Sequence, residues 1–600
     1  MFEEGISGTL MNVKKSNQTS LGFTVWFPFV RSHMKIIQEG SLMAVRNFSS
    51  SNDVDHYSVM RITSVMPTHY AMMTSMDGYP GFVEEAAMSA SKDWNQDRPI
   101  EDTTKIVCDA VPSRFEITRP RYMDNSEPEM APETNLPMPG ERVKLLNAEW
   151  TRRIINHDLQ KQDGTVALGT LANMKEVEIL ALWDSMIRTH FGVFAYTNAG
   201  KSNLLSTVTS KIFEADSVAK TVIYDLMGEY GILLMDVLCD VPEAYIVCMS
   251  ENTIPSSVMK FWKNCDNDNF LEDAANDIVK TTVLPKSLQN KKSLMVDPMK
   301  QVLQDGKIKL YVPKDSLGYQ IQSLYNELPN MQGAATGEAH RFFNSLIEKN
   351  NNVNTTAESI QKTINYVNEW KPETGNLTNT INVAINIFKT GLDSIRKNIS
   401  MADEIDDKFL ISMDAITKTL RNKATKSLFI IQGNNDFDVR IMSSRLGEKM
   451  LEIRRKHGEI SPPVSFVYDE ADQFIAQDDK PSGMKESKYA AEQLARRGRK
   501  YGLGIGIATQ RIVYLDTNIL GQPHTYFVSK LPRASDREKI QEAFGLSDET
   551  LQESLRFNVG QWLLISHSAT GIDGLPIPIQ LPDANTRISD FLNSRETDRQ

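Results

Sequence analysis

HFGVFAYTNAGKSNLLSTVTSKIF, residues 190–213, packs three local signals into one line. The run Phe191–Ala195 is short and apolar, as a buried strand is. A turn ending in Gly200 follows. After it Leu204, Leu205, Val208 and Ile212 recur at helical spacing. A strand that turns on glycine into a helix gathers backbone N–H groups and the positive helix end at one point, where a phosphate chain can sit. Gly200 permits close approach, Lys201 neutralises outer phosphate oxygens, and Ser202 offers a hydroxyl to Mg²⁺. We take Thr197, Asn198, Ala199, Gly200, Lys201, Ser202 and Asn203 as the set that binds ATP. The phosphate-loop pattern asks for glycine where Ala195 stands, and alanine is compatible with the turn if its φ is negative. A ligand-free strand–turn–helix corner is the plain alternative, against which the flanking elements and the rest of the chain weigh.

Reading outward, TVIYD (221–225) is a second buried strand, so the segment has the β-α-β rhythm of a parallel sheet. The rhythm stops, then resumes with SLFIIQG (427–433), VSFVYDEAD (464–472), GLGIGIATQ (502–510) and HTYFVSKL (524–531). GQWLLISH (560–567) is a last strand. The strand SFVY ends in two acids. Asp469 is suited to the Mg²⁺ shell and Glu470 to polarising an attacking water as general base. Helix-capping acids are the bland reading of that pair. Gln510 is placed to sense a terminal phosphate, and Arg511 to stabilise transition-state charge in cis or across a subunit boundary. Asp225 and Glu229, four apart around Gly228, can order water or metal if topology brings their strand end close; a solvated turn is the alternative. Two basic clusters, Arg454 to Lys456 and Arg496 to Lys500, fit either phosphate contact or helix ends made favourable by the dipole.

Short strands at close spacing, such as 20–29, 42–48 and 56–65, point to a small barrel or sandwich at the start. The prolines of residues 119–141 exclude a continuous helix there. The expected division is an N-terminal β-barrel over 1–115, a linker over 116–165, and an α/β core over 166–230 and 427–570. A helical insertion over 231–426 interrupts the core, and a tail covers 571–600.

Four cysteines without CxxC spacing exclude zinc-ribbon and dithiol redox readings and suit a cytoplasmic protein. The start MFEEGISGTL has no apolar core of a secretory signal, and no run nears the ~20 apolar residues of a membrane span. A net charge of −11 means that any contact with nucleic acid must come from a local basic feature.

HFGVFAYTNAGKSNLL, IYDLMGEY, VYDEADQF, ARRGRKYGLGIGIATQR and LDTNILGQ, with Asp536, Arg537 and Glu538 beyond, resemble in this order the HerA branch of the HerA/FtsK ATPases. The resemblance implies a RecA-like P-loop core with an N-terminal barrel and a helical insertion. It implies a homohexameric ring around double-stranded DNA, paired with a nuclease or sirtuin-like effector in DNA end processing or anti-phage defence. Family members carry an arginine just before the first core strand; here Thr189 holds that place and Arg188 precedes it. An ATP-driven DNA translocase is the leading expectation. A ring that assembles and activates an effector with little net translocation is the alternative.

Overall fold

The computed structural model describes every residue except 17–19, 71–79, 96–102, 122–126, 160–161, 216–217, 327, 374–376 and 598–600. The chain divides into two compact units, Met1–Leu182 with Thr525–Leu581, and Trp183–His524 with Pro582–Gln600.

Among the described residues the first unit opens with nine strands: β1 (Phe2–Ser16), β2 (Ser20–Pro28), β3 (Leu42–Arg46), β4 (Val54–His69), β5 (Thr104–Pro120), β6 (Glu129–Pro132), β7 (Arg142–Leu146), β8 (Thr165–Leu171) and β9 (Met174–Leu182). Seven of them pair in the order β2-β1-β7-β3-β4-β5-β6, and β2 also pairs with β5. Strands β1, β2, β5, β4, β3 and β7 therefore form a closed cycle of antiparallel ladders. Strand β6 lies outside the cycle and pairs with β5 alone among the described residues. Leu10, Val25, Met60, Cys108 and Val143 are buried in its core. The cycle needs β7, which lies in the stretch expected as linker. Its neighbours are proline-rich, and five residues carry too few alternations to stand out.

Among the described residues the second unit is built on eight strands: β10 (Phe191–Ala195), β11 (Lys220–Tyr224), β12 (Glu243–Cys248), β13 (Ile308–Tyr311), β14 (Leu410–Ile411), β15 (Ser427–Gln432), β16 (Val464–Tyr468) and β17 (Leu503–Thr509). Their order is β14-β13-β12-β15-β11-β16-β17-β10 and every pair is parallel. The near-continuous apolar runs reflect burial on both faces. Gly504 is required by close approach, since a β-carbon there would collide with the Ile187 carbonyl. Strands β12, β13 and β14 fall inside the stretch read as helical. They are short and separated by helices, so the helical pattern of their surroundings conceals them. The helices Leu317–Asn326, Thr336–Asn350, Ala357–Glu369 and Asn379–Ala402 share a core of their own, in which Phe343 and Phe388 meet edge to face at 4.9 Å.

The chain's last strands, β18 (Thr525–Ser529), β19 (Gln561–Ser566) and β20 (Ile577–Gln580), belong to the first unit and form the antiparallel series β18-β19-β20-β8-β9. Sequence reading continues β18 and β19 into the parallel core, because an apolar run does not reveal strand direction, and β20 falls in the stretch expected as a tail. Among the described residues no helix is long and apolar enough to cross a membrane.

Candidate functional site

Strands β10, β17, β16 and β11 are consecutive in the sheet of the second unit and point the same way. Their C-terminal ends therefore line up, and each leads into one of the motifs singled out above. This is where open α/β sheets bind ligands.

The loop after β10 enters the helix Lys201–Glu214 through Gly200, whose φ of 98° only glycine adopts freely. Asn198 also sits at positive φ, 64°. Ala195 ends the strand, fully buried and without positive φ, so the missing glycine does not distort the turn. After β16, Glu470 adopts φ 48°, ψ 53°, a left-handed conformation that costs a non-glycine residue about 1 kcal/mol or more. The turn brings Glu470 back toward the phosphate-type loop. Lys201 Nζ lies 3.5 Å from Glu470 Oε1. Gln510 joins both segments: its Oε1 accepts from Thr197 Oγ1 at 2.7 Å, and its Nε2 reaches Glu470 Oε1 at 3.5 Å.

Asp469 is 5% exposed and accepts from the Tyr230 hydroxyl at 3.0 Å. Burial, then the neighbouring charges of Glu470 and Asp225, push its carboxyl up to about 7. Asp469, Glu470 and Gln510 line a cavity of about 520 Å³ with residues 196–203. Among the described residues no three carboxylate, histidine or cysteine side chains could hold a metal by themselves. A hydroxyl at Ser202 and a buried carboxylate at Asp469 on one cavity would suit an ion whose shell is completed by phosphate and water, as that of Mg²⁺ is.

Asp225 is placed differently from a group that orders water. Its Oδ1 accepts from the backbone N–H of Met227, Gly228 and Glu229, and its Oδ2 from Tyr230 N and Gln432 Nε2. It ties the turn that carries Tyr230. Glu229 lines the cavity. Asn203 does too, and its side chain is engaged with the C-terminal segment, donating to Pro582 O at 3.2 Å and accepting from Ala584 N at 2.6 Å. Arg511 is exposed and absent from the lining. Arg188 binds Asp184 at 2.8 Å and the Ile460 carbonyl at 2.9 Å. Of the basic clusters, Arg454 is fully buried, donating to Tyr501 O at 3.0 Å and Pro462 O at 2.6 Å. It is a clamp between loops and not a surface cation.

Sequence reasoning missed Tyr230, although it sits in the quoted IYDLMGEY, and Asn585, which lines the cavity from the C-terminal segment. Nothing local marks an asparagine so far along the chain.

The family model described as "Helicase HerA, central domain" matches residues 166–397. The DNA double-strand break repair helicase HerA of Saccharolobus solfataricus is 24% identical over 409 residues, 68% of this chain and 67% of that protein. The protein of the same name from Sulfurisphaera tokodaii is 23% identical over 439 residues, 72% of this chain and 71% of its own. Among solved structures, VirB4 of Thermoanaerobacter pseudethanolicus is 13% identical with a TM-score of 0.39, covering 70% of this chain and 97% of its own. The plasmid coupling protein TrwB in complex with a non-hydrolysable ATP analogue is 13% identical with a TM-score of 0.37, over 73% and 94%.

Proposed function

We propose that this chain, a HerA-like ATPase, binds Mg²⁺–ATP at the ends of β10, β16 and β17 and uses hydrolysis to drive movement along double-stranded DNA. One observation carries the reading: Lys201, Glu470, Gln510 and Thr197 meet around a single cavity at aligned strand ends. Phosphoryl transfer asks for positioning and charge stabilisation more than covalent chemistry. The loop 197–203 would hold the triphosphate with its backbone N–H groups, and Lys201 would turn from Glu470 to the outer oxygens. Glu470, released from that ion pair, would take the proton of the attacking water. Gln510, anchored on Thr197, would hold the water and Glu470 in line. Ser202 and Asp469 would hold Mg²⁺, which supplies charge neutralisation to the phosphate oxygens when bound.

Arg511, exposed beside the site, suits action on a nucleotide bound by a neighbouring copy, which supports a homo-oligomeric ring, with six subunits as the expected number. The relatives' description as DNA repair helicases supports duplex DNA as the track. The closed strand cycle of the first unit is read as the expected N-terminal barrel. A nuclease or sirtuin-like effector, in DNA end processing or anti-phage defence, is the proposed partner.

The net charge of −11 favours a second reading, a ring that uses ATP to assemble and activate an effector with little translocation. Displacement of a triplex-forming oligonucleotide from duplex DNA separates the two. ATP-dependent displacement by the purified chain supports the motor. ATP turnover without displacement, with an effector activated, supports the scaffold.

A further inference from the structure

The lining of the nucleotide cavity divides by chemistry. One part is the loop 196–203 with Asp469, Glu470 and Gln510. The other part is apolar: Met227, Ile232, Leu233, Val283, Leu284 and Pro285. Two of these, Met227 and Val283, are 69% and 87% exposed, a large apolar surface to leave uncovered. Phosphates cannot use such a wall, but a flat aromatic base can.

A single polar side chain, Asn585, joins the lining from the C-terminal segment. Its Oδ1 is buried with no hydrogen-bond partner among the described residues. A buried acceptor without a donor is uncommon and calls for a reason. Asn585 is also held firmly on both sides. Its own N–H donates to Asp583 Oδ1 at 3.1 Å, and the preceding Ala584 N–H donates to Asn203 Oδ1 at 2.6 Å, on the helix that begins at Lys201. Two residues on, Arg587 donates to Asp236 Oδ2 and to the Leu233 carbonyl, both at 2.5 Å, on the segment that carries the apolar wall. The Asn585 backbone is thus held between the phosphate side and the apolar side, while the terminal torsion of its side chain stays soft enough to turn either atom to a ligand.

We propose that Asn585 reads the base of the bound nucleotide and selects adenine. A carboxamide offers one acceptor and one donor side by side. Adenine presents the complement, the N6 amino group beside N7, whereas guanine presents two acceptors, O6 and N7, on the same edge. Asn585 Oδ1 accepts from N6 and Nδ2 donates to N7, while the apolar wall covers the ring face. This rests on the nucleotide reading of the cavity given above.

The test is competition binding by the full chain with ATP, GTP and inorganic tripolyphosphate, each with Mg²⁺. The wild type is expected to prefer ATP over GTP by about tenfold or more, the range of one bidentate base contact. Asn585→Ala is expected to weaken ATP about tenfold, leave tripolyphosphate within about threefold, and bring ATP and GTP level. Asn585→Asp, which accepts from N6 but cannot donate to N7, is expected to weaken ATP as well while still rejecting GTP, whose O6 and N7 are both acceptors. An unchanged ATP-to-GTP ratio in Asn585→Ala overturns the proposal, as does a parallel fall for tripolyphosphate, which marks a packing role only. A wild type that binds none of the three probes overturns the nucleotide reading itself, and this inference with it.

Discussion

Lys201 Nζ and Glu470 Oε1 stand 3.5 Å apart, although 269 positions separate them in the chain. The lysine of the phosphate-type loop and the candidate base neutralise each other, and a triphosphate entering the cavity must divide them. Lys201→Ala removes the cation while keeping the turn, since Gly200 sets the backbone there. ATP affinity measured by calorimetry is expected to fall about 10- to 100-fold, the worth of a charge-assisted contact. Unchanged affinity would show that the lysine never reaches the phosphates.

Gln510 touches both Thr197 and Glu470. If it aligns water and base, Gln510→Ala should lower kcat about 10- to 1000-fold, with ATP affinity changed by less than about threefold. Steady-state turnover beside equilibrium binding makes the comparison. A loss confined to affinity would assign Gln510 to ground-state binding instead.

Asp225 accepts four backbone N–H groups and one side-chain amide at a site 1% exposed, and burial raises its carboxyl. Asp225→Ala leaves those donors unanswered. Urea unfolding is expected to show a loss of about 2–4 kcal/mol. Full stability with abolished turnover would return Asp225 to the catalytic group where sequence reading placed it.

His190, buried at the entry to β10, accepts from Ile505 N at Nδ1 (3.1 Å) and donates from Nε2 to the Ala495 carbonyl (2.9 Å). Both nitrogens are used in the neutral form, and burial pushes the imidazole down from 6.5 to about 4. A depressed pKa means that the unfolded chain binds this proton first. The contribution is complete above pH 6.5 and is lost as pH falls toward 4, about 3 kcal/mol in all. Urea midpoints at pH 7 and pH 4 should therefore differ more in the wild type than in His190→Asn, which tolerates the φ of 66° found here. Equal pH dependence in the two would refute the assignment.

Arg511 lies outside the cavity lining and is exposed. If it completes a neighbour's site, mixing Arg511→Ala with Lys201→Ala subunits, each inactive alone, should restore turnover, because an Arg511→Ala copy keeps its own phosphate-type loop and receives the arginine of its Lys201→Ala neighbour. No recovery on mixing would place the arginine in cis or outside catalysis.

The parallel core was legible because its strands are almost unbroken apolar runs ending in polar motifs, as at Phe191–Ala195 and Val464–Tyr468. The site was legible for a related reason: each motif follows its strand directly, so the sheet order alone brings Lys201, Glu470 and Gln510 together. What stayed hidden has a common physical origin in long-range pairing. The strand Arg142–Leu146 closes the first unit's cycle through partners about a hundred residues away, and Glu243–Cys248 finds its place beside a strand that begins at Ser427. Asn585 joins a cavity made by residues nearly 400 positions earlier. Arg454 was read as a surface cation within a basic run, and only the packing of the loops at Pro462 and Tyr501 shows it buried.

Glu470 is the proposed base, and one paired measurement on Glu470→Gln tests that role most directly: ATP binding by calorimetry and single-turnover hydrolysis on the same preparation. Glutamine keeps the size of the side chain and the contact with Gln510, but it cannot take a proton. Binding within about threefold of wild type, with hydrolysis reduced about 100-fold or more, is the expected result. Hydrolysis at the wild-type rate, or a wild-type chain that takes up no ATP at all, would contradict it.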